Sequence, residues 1–216
     1  MPAEPDALIF DFDGTLVESS DLHFAAISAA VARQGGAIAR SWYDARTGLG
    51  RRDLCAAFAA GSDDPPDIER LVADSLAETG ALVGMVRPNP PVVALARRFR
   101  GWRPMAVATN GESQVVTPIL SATGLEKLFD TVVSVDQVKA PKPAPDLFLT
   151  AAARLGVAPV RCLVLEDSAE GLAAAKAAGM TALDVRRAET LVKIAALSPT
   201  SAHVKPGSLE RRHGTS

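Results

Sequence analysis

The sequence predicts an α/β fold: a doubly wound, mostly parallel sheet covered by helices on both faces, with an all-helical segment inserted after the first strand. From about residue 88 onward, short apolar strands alternate with helical segments, as is typical of parallel sheets joined by right-handed crossovers. The isolated apolar run Ala7–Phe10 has the character of a buried parallel strand. Between 18 and 87 no convincing strand is present, so the first strand belongs with the later ones.

The first elements follow from the spacing of their apolar residues and from their breakers. Ala7–Phe10 predicts a strand that ends in a polar, glycine-containing loop. Residues 21–34 are rich in alanine, have apolar side chains at helical spacing and end at a glycine pair. Residues 41–60 and 67–83 predict two or three further helices, separated by glycines and by the turn "GSDDPPD".

The remaining elements follow a stiff linker, Arg87–Pro91. They alternate between helices near 92–100, 112–123, 145–155 and 169–178 and strands at 104–109, 131–135, 162–166 and 181–185. Beyond Val185, "AHV" and "SLERR" predict one more short strand and a turn. The predicted organisation is therefore a core formed by residues 1–17 and 88–216, with residues 18–87 as the inserted helical segment.

Composition and charge exclude several classes of function. The net charge of −2 and the aromatic content of 5% give no basis for binding nucleic acid or an anionic membrane. No apolar run approaches the roughly 20 residues of a membrane span, and the N-terminus lacks the basic segment of a signal peptide. Cys55 and Cys162 lie far apart without metal-ligand spacing, which favours reduced, buried thiols. We therefore expect a cytoplasmic protein with no nucleic-acid or membrane partner.

Polar residues follow four of the predicted strands at the point where each strand ends. Because the carboxyl ends of parallel strands meet at one edge of a sheet, these side chains should lie close together. They are Asp11, Asp13, Gly14 and Thr15 after the first strand, Thr109, Asn110 and Gly111 after the second, Lys139 and Lys142 after the third, and Glu166, Asp167 and Ser168 after the fourth. Taken singly, each group is also typical of a capped turn or an exposed lysine. Their conjunction favours a reaction centre.

The two aspartates of the first loop also occur in calcium loops, but the spacing here excludes one. Counted from Asp11, the sixth and twelfth positions require glycine and glutamate and hold Leu16 and Leu22. Converging carboxylates still repel one another unless a hard dication neutralises them, and all-oxygen ligation favours Mg²⁺.

Phosphate chemistry accounts for the remaining groups. A lysine, a threonine hydroxyl and backbone amides would hold phosphate oxygens. One aspartate could then attack phosphorus and form an aspartyl-phosphate, while the other gives a proton to the leaving oxygen and later takes one from water. The residues therefore predict phosphoryl transfer by positioning and charge neutralisation.

Four motifs in order resemble those of the haloacid dehalogenase superfamily: "DFDGT", "ATNG", "KPAPDLF" and "LEDSAEGLAAAKAAGM". The resemblance implies a Rossmann-like core with a small helical cap, here residues 18–87. It implies that Asp11 is the nucleophile and Asp13 the general acid/base. The implied phosphate ligands are Thr109, Lys142 and the Asn110 amide, and the implied Mg²⁺ ligands are the Asp11 carboxylate, the Asp13 carbonyl, Asp167 and, directly or through water, Glu166.

Within this superfamily the chain is similar to the branch of beta-phosphoglucomutases and sugar-phosphate phosphatases. That similarity implies substrate contacts by His23, in "ESSDLH", and by Arg51, in "TGLGRR". The mutases of the branch carry a cap lysine that grips a second phosphate, whereas this chain has no lysine between His23 and Lys127. This absence argues for hydrolysis over mutase chemistry.

The resemblance therefore implies a Mg²⁺-dependent phosphatase for a small sugar or polyol phosphate, most like bacterial fructose-1-phosphate phosphatases. One alternative is a beta-phosphoglucomutase-like phosphosugar mutase. Another is a non-catalytic regulatory protein that keeps the fold, which the intact set of acids and lysine disfavours, and a third is a phosphonate hydrolase, which needs a cap lysine. We expect a small phosphorylated metabolite as partner and a monomer or weak homodimer.

Overall fold

The computed structural model describes residues 4–199, so "AHV" and "SLERR" lie outside the described residues. The strands are Ala7–Phe10 (β1), Val17–Glu18 (β2), Arg87–Pro88 (β3), Met105–Ala108 (β4), Thr131–Val133 (β5), Cys162–Glu166 (β6) and Thr181–Asp184 (β7). The α-helices are Ser20–Arg33 (α1), Arg40–Asp44 (α2), Arg51–Ala60 (α3), Ile68–Ala81 (α4), Pro90–Phe99 (α5), Ser113–Ala122 (α6), Asp146–Leu155 (α7), Ala169–Ala177 (α8) and Ala188–Ala196 (α9).

The main sheet is parallel and has the strand order β5–β4–β1–β6–β7. In the central strand, Leu8 pairs with Met105 on one side and with Leu163 on the other. Every residue of β1, β4 and β6 is buried, which is why these strands are continuous apolar runs up to Glu166, the last residue of β6. The predicted α/β fold is confirmed, and each strand predicted within residues 4–199 is found to within two residues at either end.

Helices cover both faces of the sheet because successive side chains of a strand point to opposite sides. On one face, Leu8 and Phe10 pack with apolar residues of α5, α6 and α9. On the other face, Ala7 and Ile9 pack with apolar residues of α7 and α8. The sheet is therefore rigidly held on both sides, and its carboxyl edge is a fixed platform for the loops that follow the strands.

The inserted segment is helical and has a small core of its own. Its helix α1 packs along α4, and the buried residues of this core are Ile27, Ala30, Val31, Tyr43, Leu54, Cys55 and Leu71. The division into a core and a cap formed by residues 18–87 stays a prediction. The predicted boundaries of the cap fall where the chain leaves the sheet and where it returns to it.

The chain leaves and re-enters through a ribbon of β2 and β3, in which Val17 pairs with Pro88 and Glu18 with Arg87. The prediction that 18–87 holds no strand is therefore wrong at both ends of that segment. Strands of two residues are too short to show a period in the sequence. They form because the two connections of the insertion run side by side.

The C-terminal part of the described chain contains a helix that the sequence interpretation missed. In α9, Thr190 and Ile194 are buried, and Ile194 joins the core cluster that contains α5. Arg98 of α5 donates hydrogen bonds to the carbonyls of Ala195 (2.8 Å) and Leu197 (2.5 Å), which fixes the end of α9. Among residues 4–199, no helix combines the length and the apolar character needed to cross a bilayer.

Candidate active site

The loops after β1, β4 and β6 meet at the carboxyl edge of the sheet, since these strands are neighbours. They border a cavity of about 670 Å³ that lies between the sheet edge and the helical insertion. The residues predicted for the site that line this cavity are Asp11, Asp13, His23, Arg51, Thr109, Asn110, Lys142 and Asp167. Glu166 lies beneath it and is fully buried. The structure thus brings the predicted site residues together.

Lys142 lies between two carboxylates at the floor of the cavity. Its Nζ is 2.5 Å from Asp11 Oδ1 and 2.7 Å from Glu166 Oε2. Burial lowers the pKa of Lys142, but the charges of Asp11 and Glu166 outweigh this effect and leave its pKa above the ordinary value. Lys142 is therefore a buried cation held in the charged state, while Lys139 in the same loop is exposed.

The loop after β5 is held by the loop after β4. Asn110 Oδ1 accepts a hydrogen bond from the Lys142 backbone N–H at 2.9 Å, so the Asn110 side chain positions the lysine. The Thr109 hydroxyl is buried and accepts a hydrogen bond from the Gly111 backbone N–H at 2.9 Å. These contacts fix the lysine and the threonine hydroxyl at the same edge.

Glu166 has a complete set of hydrogen-bond donors. Its Oε2 accepts from Lys142 Nζ. Its Oε1 accepts from the backbone N–H groups of Asp167 (3.0 Å) and Ser168 (2.9 Å) and from Ser168 Oγ (2.8 Å). A Cβ at Gly171 would lie 1.9 Å from Glu166 Oε2. Gly171 is therefore required in the first turns of α8, where the helix passes against this carboxylate.

Asp11, Glu166 and Asp167 form an acidic cluster in which one oxygen of each lies within 4.8 Å of the others. Burial, with the repulsion of Glu166 and Asp167, holds the pKa of Asp11 well above its ordinary value. Burial and the charge of Glu166 likewise raise the pKa of Asp167 to about 6. Such a cluster of oxygen ligands fits a hard divalent cation, which would relieve the repulsion.

The first loop approaches this cluster closely. The Thr15 hydroxyl donates a hydrogen bond to Asp167 Oδ1 at 2.9 Å. Gly14 has a φ of +82°, and a Cβ at this position would lie 2.2 Å from Asp167 Oδ2. The glycine therefore allows both the left-handed turn and the contact between the first and fourth loops.

Asp13 has a different environment from Asp11, although they are two residues apart. Its Oδ1 accepts a short hydrogen bond from Ser19 Oγ and lies 3.0 Å from His23 Nε2. Burial raises the pKa of Asp13, but the charge and hydrogen bond of His23 and the hydrogen bond of Ser19 leave it below the ordinary value. The structure therefore places His23 against Asp13, beside the connection to the helical insertion.

Arg51, at the start of α3, connects the insertion to the core. Its Nε donates to Glu112 Oε1 at 3.2 Å, and its Nη1 lies 3.2 Å from Ser75 Oγ and 3.3 Å from Thr79 Oγ1. Glu112 immediately precedes α6 and follows the Thr109 loop. Arg51 is therefore held by one carboxylate and two hydroxyls.

Sequence reasoning assigned no role to several side chains that contact the predicted residues, among them Thr15, Ser19, Glu112 and Ser168. Thr15 and Ser168 stand within the polar loops, so their position was a usable signal. Ser19 and Glu112 act across elements, and nothing local in the sequence indicates their partners.

Three comparisons with known proteins agree with this geometry. The family model for haloacid dehalogenase-like hydrolases matches residues 5–179. The fructose-1-phosphate phosphatase YqaB of Escherichia coli (strain K12) is 37% identical over 194 residues, covering 83% of this chain and 95% of that protein. Hexitol phosphatase B of the same strain is 31% identical over 191 residues, covering 85% of each.

Solved structures are also similar. The crystal structure of CbbY from Rhodobacter sphaeroides in complex with phosphate has a TM-score of 0.75 and 30% identity, covering 82% of this chain and 84% of that one. A mutant of that protein in complex with xylulose-(1,5)bisphosphate has a TM-score of 0.75 and 29% identity, with the same coverage of both chains.

Proposed function

Because the chain belongs to the haloacid dehalogenase-like hydrolase family, we propose that it is a Mg²⁺-dependent phosphatase acting on a small sugar or polyol phosphate through an aspartyl-phosphate intermediate. It is a phosphoric monoester hydrolase of this family, in the branch that contains the phosphatases named above. The activities for which these relatives are named support a phosphorylated sugar or polyol as substrate. The cavity of about 670 Å³ lies within the range of small-molecule sites.

One observation carries the proposal: Asp11, Lys142 and Thr109 lie together at the cavity, with Asp13 in a separate electrostatic environment. A phosphate held by Lys142, the Thr109 hydroxyl and the Asn110 backbone amide would present its phosphorus to the Asp11 carboxylate. Attack by Asp11 forms the bond to phosphorus as the bond to the sugar oxygen breaks. The product of this step is an aspartyl-phosphate on Asp11.

Asp13 is the proposed general acid and base. A phosphate dianion beside Asp13 raises its proton affinity, so a protonated Asp13 can give its proton to the leaving sugar oxygen. In the second step Asp13 is ionised, as its low pKa in the substrate-free site favours. It then takes a proton from water, whose oxygen attacks the aspartyl-phosphate and releases inorganic phosphate.

The acidic cluster is the proposed Mg²⁺ site. The Asp11 and Asp167 carboxylates and the Asp13 carbonyl would ligate the ion, and Glu166 would act directly or through water. Since both Glu166 oxygens already accept hydrogen bonds, the contact through water fits better. When bound, the ion neutralises the charge of the carboxylates and of the transferring phosphate.

A phosphosugar mutase is the second candidate function, because a related protein binds a sugar bisphosphate and such compounds are intermediates of mutase reactions. The chain lacks any lysine between His23 and Lys127, which favours hydrolysis. A requirement for added bisphosphate before product forms would favour the mutase, while phosphate release from a monophosphate alone favours the phosphatase.

The protein is further proposed to act in the cytoplasm on a small metabolite, as a monomer or weak homodimer. Cys55 and Cys162 are both free and buried, which agrees with a reducing compartment. Light scattering at several concentrations would test the oligomeric state.

The test of the proposed function is phosphate release from a panel of sugar and polyol phosphates, with and without Mg²⁺. Asp11→Asn should lower kcat by roughly 10³-fold or more, since it removes the attacking oxygen. Asp21→Asn, a largely exposed carboxylate of α1, is the matched control and should leave kcat unchanged. Equal turnover by Asp11→Asn, or no phosphate release by the unaltered protein with Mg²⁺ from any member of the panel, would contradict the proposal.

A further inference from the structure

Arg51 and Glu112 form an ion pair between the cap and the core at the wall of the cavity. The side chains are 10% and 26% exposed, and both residues line the cavity. Glu112 directly follows the loop that contains Thr109, Asn110 and Gly111. Any substrate whose phosphate lies on that loop therefore passes beside the Glu112 carboxylate as it extends towards the cap.

The pair leaves the Arg51 guanidinium engaged. Besides Glu112, its remaining acceptors are the neutral hydroxyls of Ser75 and Thr79 on α4. A second phosphate that reached Arg51 would lie next to the Glu112 carboxylate, whether or not the pair between Arg51 and Glu112 broke. Like charges at such a distance repel strongly in a partly buried site.

The other cations at the cavity wall also have partners. Lys142 is paired with Asp11 and Glu166, and Arg186 is paired with Asp184. The Arg46 guanidinium lies 4.1 Å from the centre of the Trp42 ring and donates to the Trp42 carbonyl. Where Arg51 meets Glu112, the cavity wall thus presents a neutralised arginine and a carboxylate, which suit hydroxyl groups better than a dianion.

Resting on the proposed phosphatase function, we infer that Glu112 is a specificity-determining residue that excludes substrates with a second phosphate. Its carboxylate keeps Arg51 neutralised and accepts hydrogen bonds from hydroxyl groups of the substrate. The site therefore takes monophosphates whose other end is uncharged and hydroxylated. Selection operates through repulsion of the wrong substrate as well as attraction of the right one.

The test compares phosphate release from a hexose monophosphate and from the matching hexose bisphosphate, both with Mg²⁺. The measured quantity is the ratio of kcat/KM for the bisphosphate to kcat/KM for the monophosphate. Glu112→Gln should raise this ratio about tenfold, because it frees Arg51 and removes one negative charge beside the second phosphate. A ratio measured within one variant does not depend on the fraction of protein that is folded.

Glu170→Gln is the matched control, since Glu170 is an exposed carboxylate of the same cavity wall and makes no contact with Arg51. Its ratio should stay within about twofold of that of the unaltered protein. The inference is overturned if Glu112→Gln leaves the ratio unchanged, if both variants raise it equally, or if the unaltered protein already hydrolyses both compounds equally well. Failure of the phosphatase proposal is a distinct outcome, in which the unaltered protein releases phosphate from no member of the panel of sugar and polyol phosphates.

Discussion

Replacement of Lys142 by methionine should destabilise the fold strongly, because this cation compensates two buried carboxylates. The side chains of Lys142, Asp11 and Glu166 are 3%, 9% and 1% exposed. Removing one partner of a buried ion pair typically costs about 3–5 kcal/mol, and here two carboxylates lose their common partner. We therefore expect the free energy of unfolding, measured by urea denaturation at pH 7 with EDTA, to fall by about 3–5 kcal/mol.

A second substitution separates charge from packing. Glu166→Gln in the Lys142→Met background removes one of the two uncompensated charges. The double variant should therefore lose less free energy of unfolding than the two single variants lose together, by about 1–3 kcal/mol. Lys139→Met, in the same loop but exposed, should show no measurable change. Strict additivity of the Lys142 and Glu166 substitutions, or an equal loss in Lys139→Met, would refute the electrostatic reasoning.

Two further predictions concern packing and pH. Gly171→Ala should destabilise the protein and lower activity, although alanine favours helices, because its Cβ would lie 1.9 Å from Glu166 Oε2. Gly80→Ala is the control and should not destabilise the protein, since nothing lies within 4 Å of its Cβ. Thermal melts of the two variants would show the difference. Hydrogen bonds from Arg186 lower the pKa of Asp184 from 3.8 to about 2. This carboxylate therefore stabilises the fold above about pH 4, and its contribution is lost as the pH falls from 4 to 2. Asp184→Asn should be less stable than the unaltered protein at pH 6, and the gap should close near pH 2; a gap that is constant with pH would contradict this reading.

The main sheet was predictable because its three central strands are buried on both faces. β1, β4 and β6 are apolar except for the terminal Glu166 of β6, and each leads into a polar loop. The strands and the edge that carries the site can therefore be recognised from the local sequence. The short ribbon of β2 and β3 was not predictable, because a strand of two residues is too short to show the alternation of apolar and polar side chains. The helix α9 has apolar residues at helical spacing, but its burial depends on α5, which lies about ninety residues earlier.

The contacts of the site were less predictable than its members. The four loops could be assigned to one edge because parallel strands align their carboxyl ends. In contrast, the partners of Ser19 and Glu112 depend on how the cap is set against the core. The contacts of Asp13 and the proposed selection of substrate therefore depend on tertiary structure, while the position of the candidate metal ligands follows from the strand order.

The two aspartates of the first loop show how one short sequence supplies groups of opposite character. Asp11 is buried among Glu166 and Asp167, which raises its pKa, while Asp13 faces Ser19 and His23, which lowers its pKa. Environments that push two carboxyl pKa values apart are typical of sites where the groups have different roles. Because Ser19 and His23 lie at the connection to the cap, a movement of the cap would change the contacts of Asp13 and leave those of Asp11 with the core intact. The same movement would alter the pair of Arg51 and Glu112, which joins the cap to the core. Cap position would then couple the proposed proton transfer to the proposed selection of substrate, whereas the proposed nucleophile is held on the sheet.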